Sequence, residues 1–310
     1  MSRGDVHLVK FCTLCGVEFN AYKRDDLYCD RCRDDARREK QRRTNRAALP
    51  ALTPVSFVRE HITKAPDGQR IVIVSDLQHP FIDWKTWAGV TRFITDFQPN
   101  IIVWNGDIGD FYGISSFDKN PQRTFTFSDE MVALRRFLEI GQDAWHFAKH
   151  YFIMGNHEHR MEWFLKRTPE LSGLIDIDSV LKLKENGFIL MPYGGVLDYL
   201  GFAITHGTRY SSLPNGTARQ HAQMIGGSGC VGHSHRIGQW TYTDMRGTHT
   251  FHETGCLCRL DPDYIPQRPP NWQQGFMAGI AHNNAVHLHQ MSVYEDGFYG
   301  AFTGAFYARK

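Results

Sequence analysis

The chain has 310 residues, of which 42% are hydrophobic, and its formal net charge is +2 at pH 7. This length suits one large domain plus a small module, and the near-neutral charge says little about partners. No stretch approaches the roughly 18–20 apolar residues that span a bilayer, and residues 1–5 lack the apolar core of a secretory signal. We therefore expect a cytoplasmic protein that does not contact a membrane.

Four of the seven cysteines lie in two pairs near the start of the chain. Two residues separate the members of each pair, a spacing that presents two thiolates to one ion, and thirteen residues separate the pairs. The odd total disfavours a disulfide framework. We predict a small module, similar to a zinc ribbon, in which one structural Zn²⁺ is bound by Cys12, Cys15, Cys29 and Cys32.

A basic arm follows this module. Residues 31–46 carry eight basic side chains against three acidic ones, and residues 33–48 have the composition of a polar helix. Basic groups at helical spacing can contact phosphates, so we predict nucleic-acid binding by Arg33, Arg37, Arg38, Lys40, Arg42, Arg43 and Arg46. A contact with another protein and a simple solvated helix are the alternatives.

The chain divides into three predicted parts. These are the zinc module with its arm over 1–48, a linker over 49–68 that is marked by three prolines and an Asp-Gly turn, and a main domain over 69–310. The first half of the main domain alternates strands with helices, which predicts a parallel sheet: strands at 71–75, 101–105 and 151–154, helices near 85–97 and 129–150 and from 157. After residue 186, short runs with turn signals predict a largely antiparallel sheet.

Five polar motifs each follow a short apolar run that reads as a buried strand. They are Ser75-Asp76-Leu77-Gln78, Asn105-Gly106-Asp107, Gly155-Asn156-His157-Glu158, Thr205-His206-Gly207 and Gly232-His233-Ser234-His235. Open α/β sheets place their sites at strand ends, so we expect the motifs to converge. Their carboxylate, amide and imidazole groups suit a pair of divalent ions, which can polarise a phosphoryl group for in-line attack.

The motifs resemble those of the calcineurin-like metallophosphoesterases. The pattern D-x-H, GD-x-x-D, GNH-[DE], H and GH-x-H is matched, in that order, by residues 76–78, 106–110, 155–158, 206 and 232–235. The resemblance extends over residues 70–260. Near the first motif, the sequence is similar to phage-encoded and bacterial members of the family. It implies an α/β fold, a four-layer αββα sandwich, and metal-dependent hydrolysis of phosphate esters.

The resemblance also implies a role for each matched residue. The metal ligands would be Asp76, Gln78, Asp107, Asn156, His206, His233 and His235. Asp107 would bridge the two ions, and His157 would act beside the leaving group as general acid or as a stabiliser of transition-state charge. Asp110 and Glu158 would orient the ligands. Arg160, Arg209 and Arg259 are candidate phosphate clamps.

One position departs from the family pattern. The first His of the pattern is Gln78 here, and His79 follows it. Strand alternation would put Asp76 and Gln78 on one face, so we favour Gln78 as the ligand, with His79 as the alternative. An amide oxygen in place of imidazole favours Mn²⁺ in the pair of divalent ions, with Mg²⁺, Fe and Zn²⁺ as the alternatives.

These features together predict a dinuclear phosphoesterase that acts on nucleic acid, as a nuclease or terminal phosphatase, because the appended module is suited to tether such a substrate. The enzymatic alternative is a nucleotide or phosphoprotein phosphatase. The alternative of another class is a non-catalytic nucleic-acid-binding or assembly protein on a phosphoesterase scaffold. The phage-type resemblance adds the expectation of a phage-encoded protein that acts in the host cytoplasm.

Overall fold

A computed structural model describes residues 8–12, 18–21, 30, 32–34, 58–116, 119, 123–261 and 270–309. The chain divides into two units, Met1–Ser56 and Phe57–Lys310. In the first unit, β1 (Leu8–Phe11) and β2 (Glu18–Ala21) pair as an antiparallel hairpin.

The predicted zinc module and arm are described only in part. Cys12 and Cys32 are buried, whereas the other two predicted zinc ligands, Cys15 and Cys29, lie outside the described residues. Arg33 forms a 3.1 Å ion pair with Asp30. The remaining basic residues predicted to bind nucleic acid, which lie between 37 and 46, are also outside the described residues. Zinc binding and nucleic-acid binding by this region stay predictions.

Two six-stranded sheets form the framework of the second unit. The first sheet has the strand order β14-β13-β4-β5-β6-β7, built from β4 (Arg70–Val74), β5 (Ile101–Asn105), β6 (Lys149–Ile153), β7 (Ile189–Met191), β13 (Gly275–His282) and β14 (Ala285–Ser292). Strands β4 to β7 are parallel to one another, as the alternating pattern predicts, and β13 and β14 add an antiparallel edge.

The second sheet has the order β11-β12-β10-β9-β8-β3 and contains β3 (Arg59–Ile62), β8 (Val196–Tyr199), β9 (Phe202–Thr205), β10 (Ser228–Val231), β11 (Ile237–Asp244) and β12 (Gly247–Thr254). The expectation of a largely antiparallel sheet is wrong, because β10 runs parallel to both β9 and β12, and β3 runs parallel to β8. A helix that the sequence did not reveal, Gly216–Ile225, connects β9 to β10 and allows the parallel pairing. Strand β3 lies within the expected linker.

The helices are α1 (Trp84–Phe97), α2 (Phe127–Ala144), α3 (Asn156–Arg167), α4 (Ile177–Leu181) and α5 (Gly216–Ile225), with short 3₁₀ turns at Tyr112–Ile114 and Pro169–Leu171. A capping box between Thr126 and Asp129 starts α2. The expected extension of this helix to His150 is wrong, because α2 ends at Ala144 and His150 lies in β6. A last hairpin pairs β15 (Gly297–Tyr299) with β16 (Phe306–Ala308).

Three apolar clusters show how the layers pack. Residues of both sheets, such as Ile73, Val103 and Ile204, share the central cluster, so the sheets face each other. The opposite face of the first sheet packs on α1 and α2 through side chains such as Trp104 and Leu138. A smaller cluster joins the outer face of the second sheet to α5. The predicted fold, two central sheets flanked by helices, is confirmed.

Candidate metal centre

All five motifs follow the carboxyl ends of strands. The first three follow β4, β5 and β6 of the first sheet, and the last two follow β9 and β10 of the second sheet. Because these strands are mutually parallel within each sheet, their ends meet at one edge. The polar side chains therefore gather where the two sheets adjoin.

The backbone turns sharply as soon as each strand ends. Five of the seven predicted ligands have a left-handed conformation, with φ of 49–65°: Asp76, Gln78, Asp107, His233 and His235. Non-glycine residues in this region cost on the order of 1–3 kcal/mol each and cluster at functional sites. The left-handed backbone at these five residues turns the chain away from the strand direction directly after the strands end.

Asp107 lies at the middle of the cluster. Its Oδ2 atom is 3.4 Å from His206 Nε2, and the ligand atoms of Asp107, His206 and His233 lie within 4.8 Å of one another. Asn156 joins this group, since its Oδ1 atom is 3.1 Å from His206 Nε2. Asp107 also belongs to a second group, since its ligand atom and those of Asp76 and His235 lie within 4.8 Å of one another. One buried carboxylate is thus shared by two sets of donor atoms.

Gln78 rather than His79 lies in the second group. Gln78 Nε2 is 3.0 Å from His235 Nε2, which in turn is 3.2 Å from Asp76 Oδ1. His79 points the other way, where its ring is 6.3 Å from Trp84 and 5.8 Å from Phe137, and burial lowers its pKa to about 4. The favoured residue is therefore the one beside the other candidate ligands, although its role as a metal ligand stays a prediction.

The electrostatics of the cluster suit bound cations. Burial, the largest single influence, lowers the pKa of His206, but Asp107, Asp76 and the Asn105 carbonyl oxygen together raise it to about 9. Burial likewise disfavours a charge on His235, whereas Cys258 and Asp76 raise its pKa well above the usual value. The third imidazole, His233, differs, because burial lowers its pKa to about 4. Divalent ions held by these oxygen and imidazole donors would meet the same need for positive charge, so the residues fit such ions.

Glu158 fixes the turns that carry Asp107 and Asn156. Its buried carboxylate accepts four backbone hydrogen bonds of 2.8–3.2 Å, and their donors are the N–H groups of Asp107, Ile108, Gly109 and Gly155. Gly155 must be glycine, because a Cβ there would lie 2.1 Å from Asp107 Oδ1. The predicted orienting role of Glu158 thus acts on backbone turns in this structure.

His157 is held between two partners. Its Nδ1 atom lies 2.9 Å from the Asp110 carbonyl oxygen, which can only accept, so Nδ1 carries the proton. Its Nε2 atom lies 3.0 Å from Arg160 Nη2, which can only donate, and 3.7 Å from Asp107 Oδ2. The Asp110 carboxylate is also 3.3 Å from Nδ1. This arrangement places an imidazole and a guanidinium side by side at the edge of the cluster.

Three further residues near the centre were not among the predicted site residues, although the sequence placed Cys258 beside the site as a buried free thiol. Arg123 lies 3.6 Å from Asp110 Oδ2, the Trp272 ring lies 4.2 Å from the His235 ring at an interplanar angle of 50°, and Cys258 Sγ is 3.7 Å from His235 Nδ1. They come from segments far apart in the chain, which spacing cannot connect. Of the three candidate phosphate clamps, Arg160 adjoins His157, whereas Arg259 pairs with Asp261 and Arg209 is exposed.

A model of the calcineurin-like phosphoesterase family matches residues 69–236. The chain belongs to the calcineurin-like phosphoesterase family. It is therefore a metal-dependent hydrolase of phosphate esters, and the family implies divalent ions at this centre. The centre of this phosphoesterase combines both sheets, since its donors follow three strands of one and two of the other.

Two curated phage proteins are similar in sequence. The Gene 54 protein of Mycobacterium phage D29 is 30% identical over 226 residues, which cover 67% of this chain and 88% of that protein. The Gene 54 protein of Mycobacterium phage L5 is 28% identical over 225 residues, with the same coverage of 67% and 88%.

Solved structures are similar at lower identity. A dimetal phosphatase from Danio rerio has a TM-score of 0.43 and 9% identity and covers 79% of this chain and 100% of its own. Vacuolar Protein Sorting 29 from Cryptosporidium parvum has a TM-score of 0.40 and 12% identity, with coverages of 73% and 98%.

Within the part of the chain that the structure describes, no helix combines the length and apolar character needed to cross a membrane.

Proposed function

We propose that this phosphoesterase uses a dinuclear centre to hydrolyse phosphate esters of nucleic acid, as a nuclease or terminal phosphatase. The observation that carries the two-ion proposal is that Asp107 belongs to both groups of donor atoms. One ion would be held by Asp76, Gln78 and His235, the other by Asn156, His206 and His233, with Asp107 between them. Mn²⁺ is the favoured ion because Gln78 offers an oxygen donor where the family pattern has imidazole.

When bound, two divalent ions supply Lewis acidity to the phosphoryl oxygens. The protein's own contribution on the leaving-group side comes from His157 and Arg160. Arg160 Nη2 lies 3.0 Å from His157 Nε2, so a positive charge adjoins the imidazole. This arrangement favours stabilisation of transition-state charge over proton donation by His157, one of the two roles that the family resemblance implies. Asp110 holds the imidazole through its carbonyl oxygen.

A group of cations beside His157 supports a substrate with several phosphates. Four basic side chains contact the segment from Asp110 to Ile114: Lys119, Arg123, Arg160 and Arg167. Burial, and then Arg160 and Arg167, lower the pKa of Lys119, as expected where cations are neighbours. Such a local excess of positive charge attracts polyanions, and a nucleic-acid strand presents a phosphate at every nucleotide.

The N-terminal region would tether the same substrate. We propose that one Zn²⁺ organises the four-cysteine module and that the basic arm contacts phosphates without reading sequence. Glutamine substitution of Arg37, Arg38, Arg42 and Arg43 in the full chain should weaken binding of a labelled oligonucleotide and flatten its dependence on salt. Binding with an unchanged salt slope would contradict the tether. The phage relatives support action in a host cytoplasm.

A panel of labelled oligonucleotides and nucleotides, incubated with enzyme and Mn²⁺, tests the substrate class. We expect cleavage of an oligonucleotide or release of its terminal phosphate, with higher kcat/KM than for a mononucleotide or a phosphopeptide. Arg123→Gln should raise KM for the oligonucleotide more than for bis-p-nitrophenyl phosphate. Arg136→Gln, which removes a cation from the exposed face of α2, is the matched control. Preference for the mononucleotide or phosphopeptide would favour the alternative phosphatases.

A further inference from the structure

Two aromatic side chains adjoin the centre without taking part in its chemistry. The Tyr210 ring lies 6.2 Å from the His233 ring, edge to face, and the Trp272 ring lies 4.2 Å from the His235 ring. Tyr210 is 57% exposed, and Trp272 is partly exposed. Two large rings therefore border the candidate ligands of both ions while keeping surface accessible to a substrate.

Tyr210 is held in place by a buried cation. Arg236 is 4% exposed, and its guanidinium lies 5.3 Å from the centre of the Tyr210 ring. The same group donates to the carbonyl oxygens of Ser211 and Ser212 and pairs with Glu253 Oε2 at 3.3 Å. Because Arg236 follows His235 directly, the loop that bears Tyr210 is tied to the segment that bears two candidate ligands. An exposed ring that is fixed in this way loses little entropy on binding.

Trp272 is tied to the same segment by its neighbour. The Gln273 N–H donates to the His235 carbonyl oxygen at 2.8 Å, and the Gln273 side chain accepts from the Ile237 N–H at 3.2 Å. Both rings thus have fixed positions relative to His233 and His235. Neither ring belongs to the apolar clusters formed by the described residues.

We infer that Tyr210 and Trp272 stack on nucleobases that flank the reacting phosphate, and that the substrate is single-stranded nucleic acid. The inference rests on the proposed nucleic-acid function and narrows it. Base stacking on aromatic side chains tolerates any sequence because every base has a π-face. In a duplex the bases stack on one another and are unavailable, whereas a single strand offers them. The cations around Tyr112 would hold the phosphates on the side of His157.

The test compares substrates that differ only in their bases. A single-stranded oligonucleotide and the same strand with abasic residues around the scissile position are incubated with Mn²⁺-loaded enzyme, and kcat/KM is measured. For Trp272→Ala and Tyr210→Ala, we expect a loss of roughly 5- to 150-fold per ring on the normal strand. The loss should be several times smaller on the abasic strand. Trp272→Phe should keep most of the rate that Trp272→Ala loses. Tyr299→Ala is the matched control, because Tyr299 lies in the last hairpin and is 73% exposed.

The outcomes separate the inference from the function beneath it. Equal losses on normal and abasic strands would mean that the rings only support the metal ligands, and the stacking inference would fail. Equal kcat/KM on a single strand and on its duplex would also overturn it. Wild-type enzyme that hydrolyses bis-p-nitrophenyl phosphate but no oligonucleotide would refute the nucleic-acid function itself.

Discussion

Glu158 gives the sharpest prediction about how the protein builds its centre. Its two carboxylate oxygens accept four backbone N–H groups, two at each oxygen, at 2.8–3.2 Å. Glu158→Gln keeps the shape but leaves one oxygen, so two buried N–H groups face an amide NH₂ that cannot accept. Each unsatisfied group costs about 1–3 kcal/mol, which predicts a loss of about 2–6 kcal/mol in the free energy of unfolding.

The assay is urea unfolding with a metal chelator present, so that lost metal binding does not enter the comparison. Glu162→Gln is the matched control, because Glu162 is exposed on the same helix, where it pairs with the partly buried His159. We expect the control to change stability by less than about 1 kcal/mol. A Glu158→Gln variant no less stable than the control would refute the idea that this carboxylate braces the turns around Asp107.

Two further predictions follow from the structure. Gly155→Ala should abolish metal binding, because its Cβ would lie 2.1 Å from Asp107 Oδ1. Gly89→Ala, whose Cβ would have its nearest contact at 3.4 Å, should bind metal normally. Calorimetric titration with Mn²⁺ measures binding by both variants. Burial is the largest influence on the pKa of Glu130 and raises it to about 7. The protonated carboxyl group of the folded protein therefore contributes its full stability below pH 4.5, and this contribution is lost as the pH rises from 4.5 through 7. Between these pH values, Glu130→Gln should lose less stability than the wild-type protein, by up to about 3 kcal/mol. Unfolding at several pH values measures this difference. Parallel plots of stability against pH for the two proteins would contradict the prediction.

The order of strands and polar motifs was predictable because each motif follows an apolar run at the end of a strand. Parallel pairing then brings distant motifs to one edge, and this needs no knowledge of loops. The convergence of Asp76, Asp107, His206 and His235 is of this kind.

Details that depend on tertiary contacts were either predicted for the wrong reason, as for Gln78, or not predicted, as for His150. Gln78 reaches the centre through left-handed backbone at Asp76 and Gln78, since β4 ends at Val74 and strand alternation does not apply. His150 leaves its helical pattern for β6, where it contacts Trp104 and the Trp145 carbonyl oxygen. These outcomes follow from packing partners distant in sequence, which local propensity cannot register.

Helix α5 illustrates a third limit. The segment begins at Asn215-Gly216, a pair that favours a turn, so local signals pointed away from a helix there. Its inner face packs on the second sheet through Ala218 and Ala222. The connection it provides makes β9 and β10 parallel and places His206 and His233 at the same edge.

The central claim is that Asp107 bridges two ions. Titration of the protein with Mn²⁺, followed by electron paramagnetic resonance, tests it most directly. We predict that two ions bind per chain and show magnetic exchange coupling, and that Asp107→Asn removes the coupling and at least one ion. Binding of a single Mn²⁺ by the wild-type chain, or of two ions without coupling, would contradict the claim.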